Sequence, residues 1–238
     1  MSTIEELNIK IFADGADFAS MVEMSQKSYI FGLTTNPSLM KKAGITDYTL
    51  FAKRLLSRIN DKPISFEVIS NDLSEMFSQA MKISSWANNV FVKIPVCLTD
   101  GTSTVALIKS LQGEGVKINV TAVMTKKQLD EVTSVLLPGV PTVISIFSGR
   151  IADTGILPEK LFLEASEVRT QMPALKLLWA STRQTLDIFR AESVKADFIT
   201  VPNEILNKLP LVGKDLETYS AETVQMFYDD ALSSGLSL

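Results

Sequence analysis

The chain of 238 residues contains no histidine and a single cysteine, Cys97. With one cysteine no disulfide can form within the chain, which is typical of proteins from a reducing compartment. Cysteine and histidine are the usual ligands of zinc, so an ordinary zinc site is nearly excluded. Any acid–base chemistry at neutral pH must therefore fall to carboxylates, lysine, tyrosine or bound water.

The sequence also lacks long apolar runs and an excess of basic residues. No stretch approaches the ~18 consecutive apolar residues of a membrane-spanning helix, and the net charge of −4 gives no electrostatic footprint for nucleic acid. The first twelve residues include Glu5 and Glu6 and no apolar segment, so we predict no signal peptide. We expect a soluble cytoplasmic protein without nucleic-acid or membrane partners.

Eight short apolar or β-branched runs recur along the chain, each followed by a stretch with helical spacing of apolar residues. The runs span residues 10–14, 31–36, 64–68, 90–96, 117–123, 142–147, 175–181 and 196–202. Strands that alternate with helices indicate a parallel sheet with right-handed crossovers, and eight such units in about 250 residues predict a closed (β/α)8 TIM barrel.

No linker rich in Pro, Gly or Ser interrupts the pattern, so the sequence predicts one α/β domain over residues 1–238. Its last part, from about residue 214 to residue 238, has the pattern of an amphipathic helix, with Val224, Phe227 and Leu232 as apolar contacts. This helix is expected either to close the barrel or to pack on a neighbouring subunit.

Lys93 lies in the middle of the apolar run NVFVKIPV. Burial among apolar side chains disfavours the ammonium form and favours a neutral amine that can attack a carbonyl. Alternatively, the lysine pairs with a carboxylate or extends from the strand end into solvent. Strand alternation puts Lys93 on the face opposite Val92 and Ile94, so an inward Lys93 would carry its amine into the barrel.

Polar side chains stand near the carboxyl ends of seven of the runs, where the active site of a TIM barrel lies. They are Asp14, Thr34, Thr35, Asn36, Glu67, Lys93, Asn119, Thr121, Ser145, Arg150, Ser181 and Arg183. Each alone is weak evidence, since strand-end Asp and Asn are usually turn or cap residues. As a set they predict that Asp14 and Glu67 converge with Lys93.

Six segments give the chain a specific resemblance. They are IFADGADF, GLTTNPSL, FVKIPV, INVTAV, ISIFSGRIAD and WASTR, in this order between about residues 10 and 203. The combination resembles the transaldolase family, the Schiff-base aldolases of the pentose phosphate pathway. The length resembles the short branch of that family, which also contains the fructose-6-phosphate aldolases.

The resemblance implies roles for twelve residues, with no cofactor and no metal. Lys93 would form the imine with a ketose phosphate, Asp14 would act as acid/base, and Glu67 would act through a water that Thr121 also holds. The residues implied to bind substrate are Thr35, Asn36, Asn119 and Ser145 at the dihydroxyacetone unit, Phe147 as an apolar wall, and Arg150, Ser181 and Arg183 at the phosphate. Short-branch relatives tend to form ring-based oligomers, so we expect a homo-oligomer, and a pentamer-based decamer rather than a dimer.

The sequence leaves three hypotheses. The leading one is a transferase that moves a dihydroxyacetone unit between sugar phosphates, and the second is a fructose-6-phosphate aldolase that releases dihydroxyacetone. The resemblance favours the transferase, because the aldolases have glutamine and tyrosine at the positions of Glu67 and Phe147. The third is a non-catalytic barrel that binds sugar phosphates. Two features depart from the family pattern, Thr182 and residues 191–197, and both are expected at the phosphate end.

Overall fold

Residues 7–235 are described by a computed structural model, in which eight parallel strands close into a barrel in sequence order. The strands are β1 (Lys10–Asp14), β2 (Ile30–Thr34), β3 (Ile64–Glu67), β4 (Val90–Pro95), β5 (Ile118–Val123), β6 (Thr142–Ile146), β7 (Leu175–Trp179) and β8 (Phe198–Pro202). The predicted (β/α)8 barrel is confirmed. Every predicted run corresponds to one strand, and the bounds differ by at most two residues.

Helices surround the barrel and connect its strands. Within the described residues they are α1 (Phe18–Ser25), α2 (Pro37–Lys42), α3 (Tyr48–Leu56), α4 (Leu73–Ser84), α5 (Val105–Gly113), α6 (Lys126–Thr133), α7 (Ser148–Ala152), α8 (Glu159–Gln171), α9 (Leu186–Ser193), α10 (Asn203–Leu206) and α11 (Leu216–Ser234). Asp17, Asp47, Asp72 and Asp215 cap α1, α3, α4 and α11, each accepting a backbone N–H from the first turn. None of these helices in residues 7–235 is both long enough and apolar enough to cross a bilayer.

Alternate residues of each strand face outward, toward the helices, or inward, toward the barrel axis. Outward side chains such as Val92, Ile94 and Val120 are fully buried beneath the helices and belong to the main core. The inward side chains form two levels. The upper level, at the carboxyl ends of the strands, contains Asp14, Thr34, Glu67, Lys93, Thr121, Ser145 and Thr200. The lower level contains Phe12, Ser65, Phe91, Asn119, Val143, Leu178 and Phe198.

No residue of the C-terminal helix α11 is buried in this chain. Its apolar side chains face outward, and Phe227 is 62% exposed. The barrel is instead closed by direct pairing of β1 with β8, so the alternative in which this helix closes the barrel is wrong. Residues 236–238 of the predicted helix lie outside the described residues, as do residues 1–6, and one domain over residues 1–238 stays a prediction.

Candidate active site

A cavity of about 520 Å³ opens at the carboxyl ends of the strands. Ten of the twelve predicted site residues line it: Asp14, Asn36, Glu67, Lys93, Thr121, Ser145, Phe147, Arg150, Ser181 and Arg183. A larger hollow of about 660 Å³ lies beside Leu7 and Leu209 on the outside of the barrel, and its described lining residues include no carboxylate. Most of the predicted site residues therefore lie together at the carboxyl ends of the strands.

Lys93 is buried, with 7% of the residue exposed, and its amine has two partners. Nζ lies 3.0 Å from Glu67 Oε2 and donates a hydrogen bond of 2.9 Å to the backbone carbonyl of Thr35. The register of β3 and β4 places Glu67 directly beside Lys93. The Lys93 amine therefore lies inside the barrel, and it is paired with a carboxylate, as the alternative interpretation of Lys93 expected.

Thr35 contributes through its backbone rather than its side chain. Its carbonyl holds the Lys93 amine, whereas its hydroxyl is buried without a hydrogen-bond partner among residues 7–235. The side chain is not part of the cavity lining. A direct contact between Thr35 and substrate therefore stays a prediction, and the contribution that the structure shows is the carbonyl that accepts from Lys93.

Asp14 lies half-buried opposite this pair, and Thr34 Oγ1 donates a 2.8 Å hydrogen bond to its Oδ1. Burial raises the pKa of the Asp14 carboxyl above its usual range. The nearby Lys93 charge and the Thr34 hydrogen bond lower this pKa without cancelling the effect of burial, and the Glu67 charge raises it further. Asp14 thus keeps its proton to higher pH than an ordinary aspartate, which suits a group that both takes and returns a proton.

The hydroxyls of Thr34 and Thr200 form a chain of two hydrogen bonds that ends on Asp14. The sequence analysis did not predict the part played by Thr200. Thr34 uses its one hydroxyl proton on Asp14, so Thr200 must be the donor in the 2.5 Å contact between the two hydroxyls. Alternation along the eighth run puts Thr200 on the same face as Phe198, and this signal was present in the sequence. The chain fixes the orientation of the Asp14 carboxylate.

Asn119 lies one level below the cavity rather than on its wall. Its Nδ2 donates to Ser65 Oγ at 3.1 Å, and its Oδ1 accepts from Ser145 Oγ at 2.7 Å. Ser145 lines the cavity and Asn119 does not. Direct contact between Asn119 and substrate stays a prediction; in this structure Asn119 accepts the hydrogen bond of Ser145, which lines the cavity, from beneath.

Asn36 and Thr121 line the cavity as predicted. The Asn36 side chain also caps α2, because its Oδ1 accepts the backbone N–H of Leu39 at 3.0 Å. The Thr121 hydroxyl is buried and has no partner among the residues that the structure describes. An unpaired buried hydroxyl costs about 1–3 kcal/mol, so this position suits a bound water or a substrate hydroxyl.

Two arginines, from the segments that follow β6 and β7, form the cationic end of the cavity. Arg150 lies on α7 and is exposed at the rim, and Arg183 forms a half-exposed ion pair with Asp153 at 2.7 Å. The two segments touch at Gly149, where an added Cβ would lie 1.7 Å from the carbonyl oxygen of Ser181. Only glycine permits this approach, which places both guanidinium groups beside one end of the cavity.

A buried carboxylate holds the loop that carries Arg183. Asp187 Oδ2 accepts the backbone N–H of Arg183 at 2.8 Å, and its Oδ1 accepts from Arg190 Nη1 at 3.2 Å. Arg190 Nε in turn donates to Glu159 Oε1 at 2.6 Å. These residues were not predicted, because no local pattern distinguishes them from ordinary charges on α8 and α9. They position the loop without lining the cavity.

The two departures from the family pattern lie at opposite ends of the barrel. Thr182 is buried at the cavity and donates a 2.7 Å hydrogen bond to the carbonyl of Thr200, joining the end of β7 to β8. Residues 191–197 lead into β8 and lie at its amino end, where Asp197 accepts from Arg169 and from the backbone N–H of Leu177. The expectation that residues 191–197 touch the phosphate end is wrong, whereas Thr182 lines the cavity between Ser181 and Arg183, the residues predicted to bind phosphate.

The family description "Transaldolase/Fructose-6-phosphate aldolase" matches residues 11–236 of the chain. The chain belongs to this family. A "Probable transaldolase" from Bdellovibrio bacteriovorus is 30% identical over 226 residues, covering 93% of this chain and 97% of the relative. Another from Parvibaculum lavamentivorans is 32% identical over 219 residues, covering 90% and 96%. The match supports an enzyme of the aldolase and transaldolase class, rather than a non-catalytic barrel.

A solved structure from Burkholderia cenocepacia J2315 has a similar fold. It is described as a "putative phosphonomutase", superposes with a TM-score of 0.55 at 13% identity, and covers 91% of this chain and 94% of its own. At this identity the similarity concerns the barrel fold alone.

Proposed function

We propose that this family member is a transaldolase, which transfers a dihydroxyacetone unit from a ketose phosphate to an aldose phosphate through an imine on Lys93. The observation that carries the proposal is the buried Lys93 amine 3.0 Å from Glu67, in one cavity with Asp14 and two arginines. Consumption of fructose 6-phosphate, measured with and without erythrose 4-phosphate, tests this function. The acceptor should accelerate consumption.

The chain's own residues supply each proton transfer. Lys93 passes a proton to Glu67 and attacks the ketone carbon, and Glu67 with a water at Thr121 assists loss of the hydroxyl as water. Asp14 then takes the proton from the hydroxyl beside the carbon–carbon bond that breaks. The fragment with that hydroxyl leaves as an aldose phosphate, and the protonated imine accepts the electron pair of the broken bond as an enamine. The bound enamine attacks a second aldehyde, and the same steps in reverse release the new ketose.

The competing activity is a fructose-6-phosphate aldolase, in which water ends the cycle by releasing dihydroxyacetone. Phe147 lines the cavity, and its phenyl ring can neither donate a proton nor hold a water. Phe147→Tyr is therefore expected to raise the share of free dihydroxyacetone among the products, measured by coupled assay with acceptor present. Phe147→Leu is the control without a hydroxyl, and an equal rise in this control would contradict the account.

Arg183 is proposed to bind the phosphate of the sugar. Arg183→Gln should lower kcat/KM for fructose 6-phosphate by on the order of 2 kcal/mol, about 30-fold, because it removes a charge-assisted hydrogen bond. The value for unphosphorylated fructose should change little. The control Asp153→Asn removes the competing partner of Arg183 and should leave or improve phosphate binding. Equal losses for the two sugars on Arg183→Gln would show that Arg183 does not contact phosphate.

A homo-oligomer assembled through α11 is the proposed quaternary state, with a pentamer-based decamer preferred. The support is the row of exposed apolar side chains on this helix, including Val224, Phe227 and Leu232. Light scattering should give a multiple of the 26.1 kDa chain mass. Phe227→Glu should lower that mass, whereas the neighbouring Gln225→Glu should not. A mass near 26.1 kDa for the unmodified protein would refute the assembly.

Three further expectations stay predictions: a cytoplasmic location, operation in the pentose phosphate pathway, and catalysis without a metal or cofactor. The proposed imine chemistry is consistent with the last, since the protonated imine itself stabilises the electron pair left by carbon–carbon cleavage.

A further inference from the structure

A second cavity lies at the opposite end of the barrel, among the amino ends of the strands. It measures about 280 Å³ and is named here the base cavity. Its lining is Phe12, Phe31, Pro63, Ser65, Phe91, Asn119, Pro141, Thr142, Val143, Ala174, Lys176, Leu178 and Phe198. Apart from the polar groups of Ser65, Asn119, Thr142 and Lys176 these side chains are apolar, and the sugar-phosphate chemistry uses none of the apolar ones.

Side-chain sizes at the lower level account for the base cavity. An added Cβ at Gly32 would lie 2.4 Å from the Phe12 ring, so this ring lies across β2. Phe12, Phe31 and Phe198 form one aromatic wall with ring centroids 4.9–5.7 Å apart. Space remains on the other side, beside Val143. The interior of a TIM barrel is normally filled by side chains, and an unfilled space with mostly apolar walls suits an apolar molecule.

The polar Ser65–Asn119 contact closes the inner end of the base cavity. The hydrogen bond from Asn119 to Ser65 and the bond from Ser145 to Asn119 lie between this cavity and the proposed active site. The base cavity therefore has its own mouth, where Ala174 and Pro141 precede strands β7 and β6. Phe31 is 39% exposed at this mouth.

Positive charge surrounds the mouth. Lys176 lines it, and the Lys10 ammonium lies 4.3 Å from the centroid of the Phe31 ring. Lys176 shares the carboxylate of Asp197 with Arg169, so this carboxylate already faces two cations. Lys10 has no carboxylate within 4.0 Å among residues 7–235. An anionic group at the mouth would meet the ammonium groups of Lys10 and Lys176.

We propose that the base cavity binds a small monocarboxylate with a flat apolar body of about the size of naphthalene. The rings of the ligand lie between the aromatic wall and Val143, and its carboxylate lies at the mouth beside Lys10 and Lys176. This site is separate from the proposed sugar-phosphate site and does not depend on the activity proposed above.

Isothermal titration of the full chain with 2-naphthoate tests the proposal. Saturable 1:1 binding is expected. Val143→Phe, which fills the cavity, should weaken binding at least about ten-fold, whereas the control Val224→Phe on exposed α11 should bind as the unmodified protein does. Ala174→Leu at the mouth gives a second obstruction that leaves the barrel interior unchanged, in case Val143→Phe fails to fold.

Two further measurements test whether the ligand carboxylate contributes to binding and whether the ligand binds outside the proposed sugar-phosphate site. The neutral 2-naphthalenemethanol should bind several-fold more weakly than 2-naphthoate, and the double variant Lys10→Gln/Lys176→Gln should remove this difference. Arg183→Gln should leave naphthoate binding unchanged. Absence of saturable binding, full binding to both obstructed variants, equal binding of the two probes, or loss of binding in Arg183→Gln would each overturn the proposal.

Discussion

Replacing Lys93 with methionine is expected to abolish turnover together with the covalent adduct that borohydride traps in the presence of fructose 6-phosphate. The reason is chemical: reduction fixes the substrate only where an imine has formed, and the side chain of methionine has no amine. Intact-protein mass spectrometry should show a three-carbon or six-carbon adduct on the unmodified chain, mapped by peptide analysis to Lys93. Methionine at this position should show no adduct.

The fold of this variant needs a separate check, because Lys93→Met leaves the Glu67 carboxylate without its 3.0 Å partner. Removing one member of a buried ion pair can cost about 3–5 kcal/mol of unfolding free energy. Lys93→Arg keeps a cation opposite Glu67 and forms no imine, so it should stay folded and inactive. Lys62→Met is the matched control: that amine also donates to backbone carbonyls, of Lys27 and Ile30, but lies at the other end of the barrel. An adduct on a lysine other than Lys93 would contradict the proposed mechanism.

Asp14→Asn should separate imine formation from bond cleavage. Asparagine cannot take the hydroxyl proton, and general acid–base catalysis typically contributes about 10²–10⁴ in rate. We expect cleavage to fall by about that factor, while borohydride still traps an adduct on Lys93 that now retains all six carbons of the sugar. Asp17→Asn is the control, since Asp17 is a neighbouring aspartate that only caps α1. Cleavage at the unmodified rate in Asp14→Asn would remove Asp14 from the reaction.

The same variant has a predictable effect on stability. Burial raises the pKa of Asp14 in the folded chain, so the folded state binds this proton more tightly than the unfolded state does. The free energy of unfolding then falls as pH rises from the ordinary aspartate pKa through the raised one, and above that window the ionised group destabilises the fold. Asp14→Asn should therefore be more stable than the unmodified protein at neutral pH. Denaturant unfolding at several pH values should show this gain shrinking toward acid pH.

The fold followed from the sequence because each strand carries a local signal. Eight apolar runs with helical stretches between them allow few alternatives to a barrel. Lys93 was conspicuous as a charged side chain within an apolar run, and Asp14 and Glu67 were expected beside it from their positions at strand ends. These three side chains share the upper level of the barrel and line one cavity.

The local sequence pattern did not show how deep an inward side chain lies in the barrel, or which residues distant in sequence it contacts. Alternation gives the face on which a side chain lies, but its level inside the barrel depends on the stagger of the strands. The sequence therefore did not show that Asn119 lies one level below the residues that line the cavity. The contact of Asp187 with the loop of Arg183 depends on tertiary geometry. An amphipathic pattern likewise shows that α11 has an apolar face and not what covers that face.

Isotope transfer tests the central claim most directly. Fructose 6-phosphate labelled with ¹³C at its first three carbons would be incubated with unlabelled erythrose 4-phosphate, and the products followed by NMR. The account predicts that the label appears in the first three carbons of sedoheptulose 7-phosphate, matched by unlabelled glyceraldehyde 3-phosphate, with little labelled dihydroxyacetone free in solution. Label released as free dihydroxyacetone as fast as fructose 6-phosphate is consumed, with no labelled sedoheptulose 7-phosphate, would contradict it.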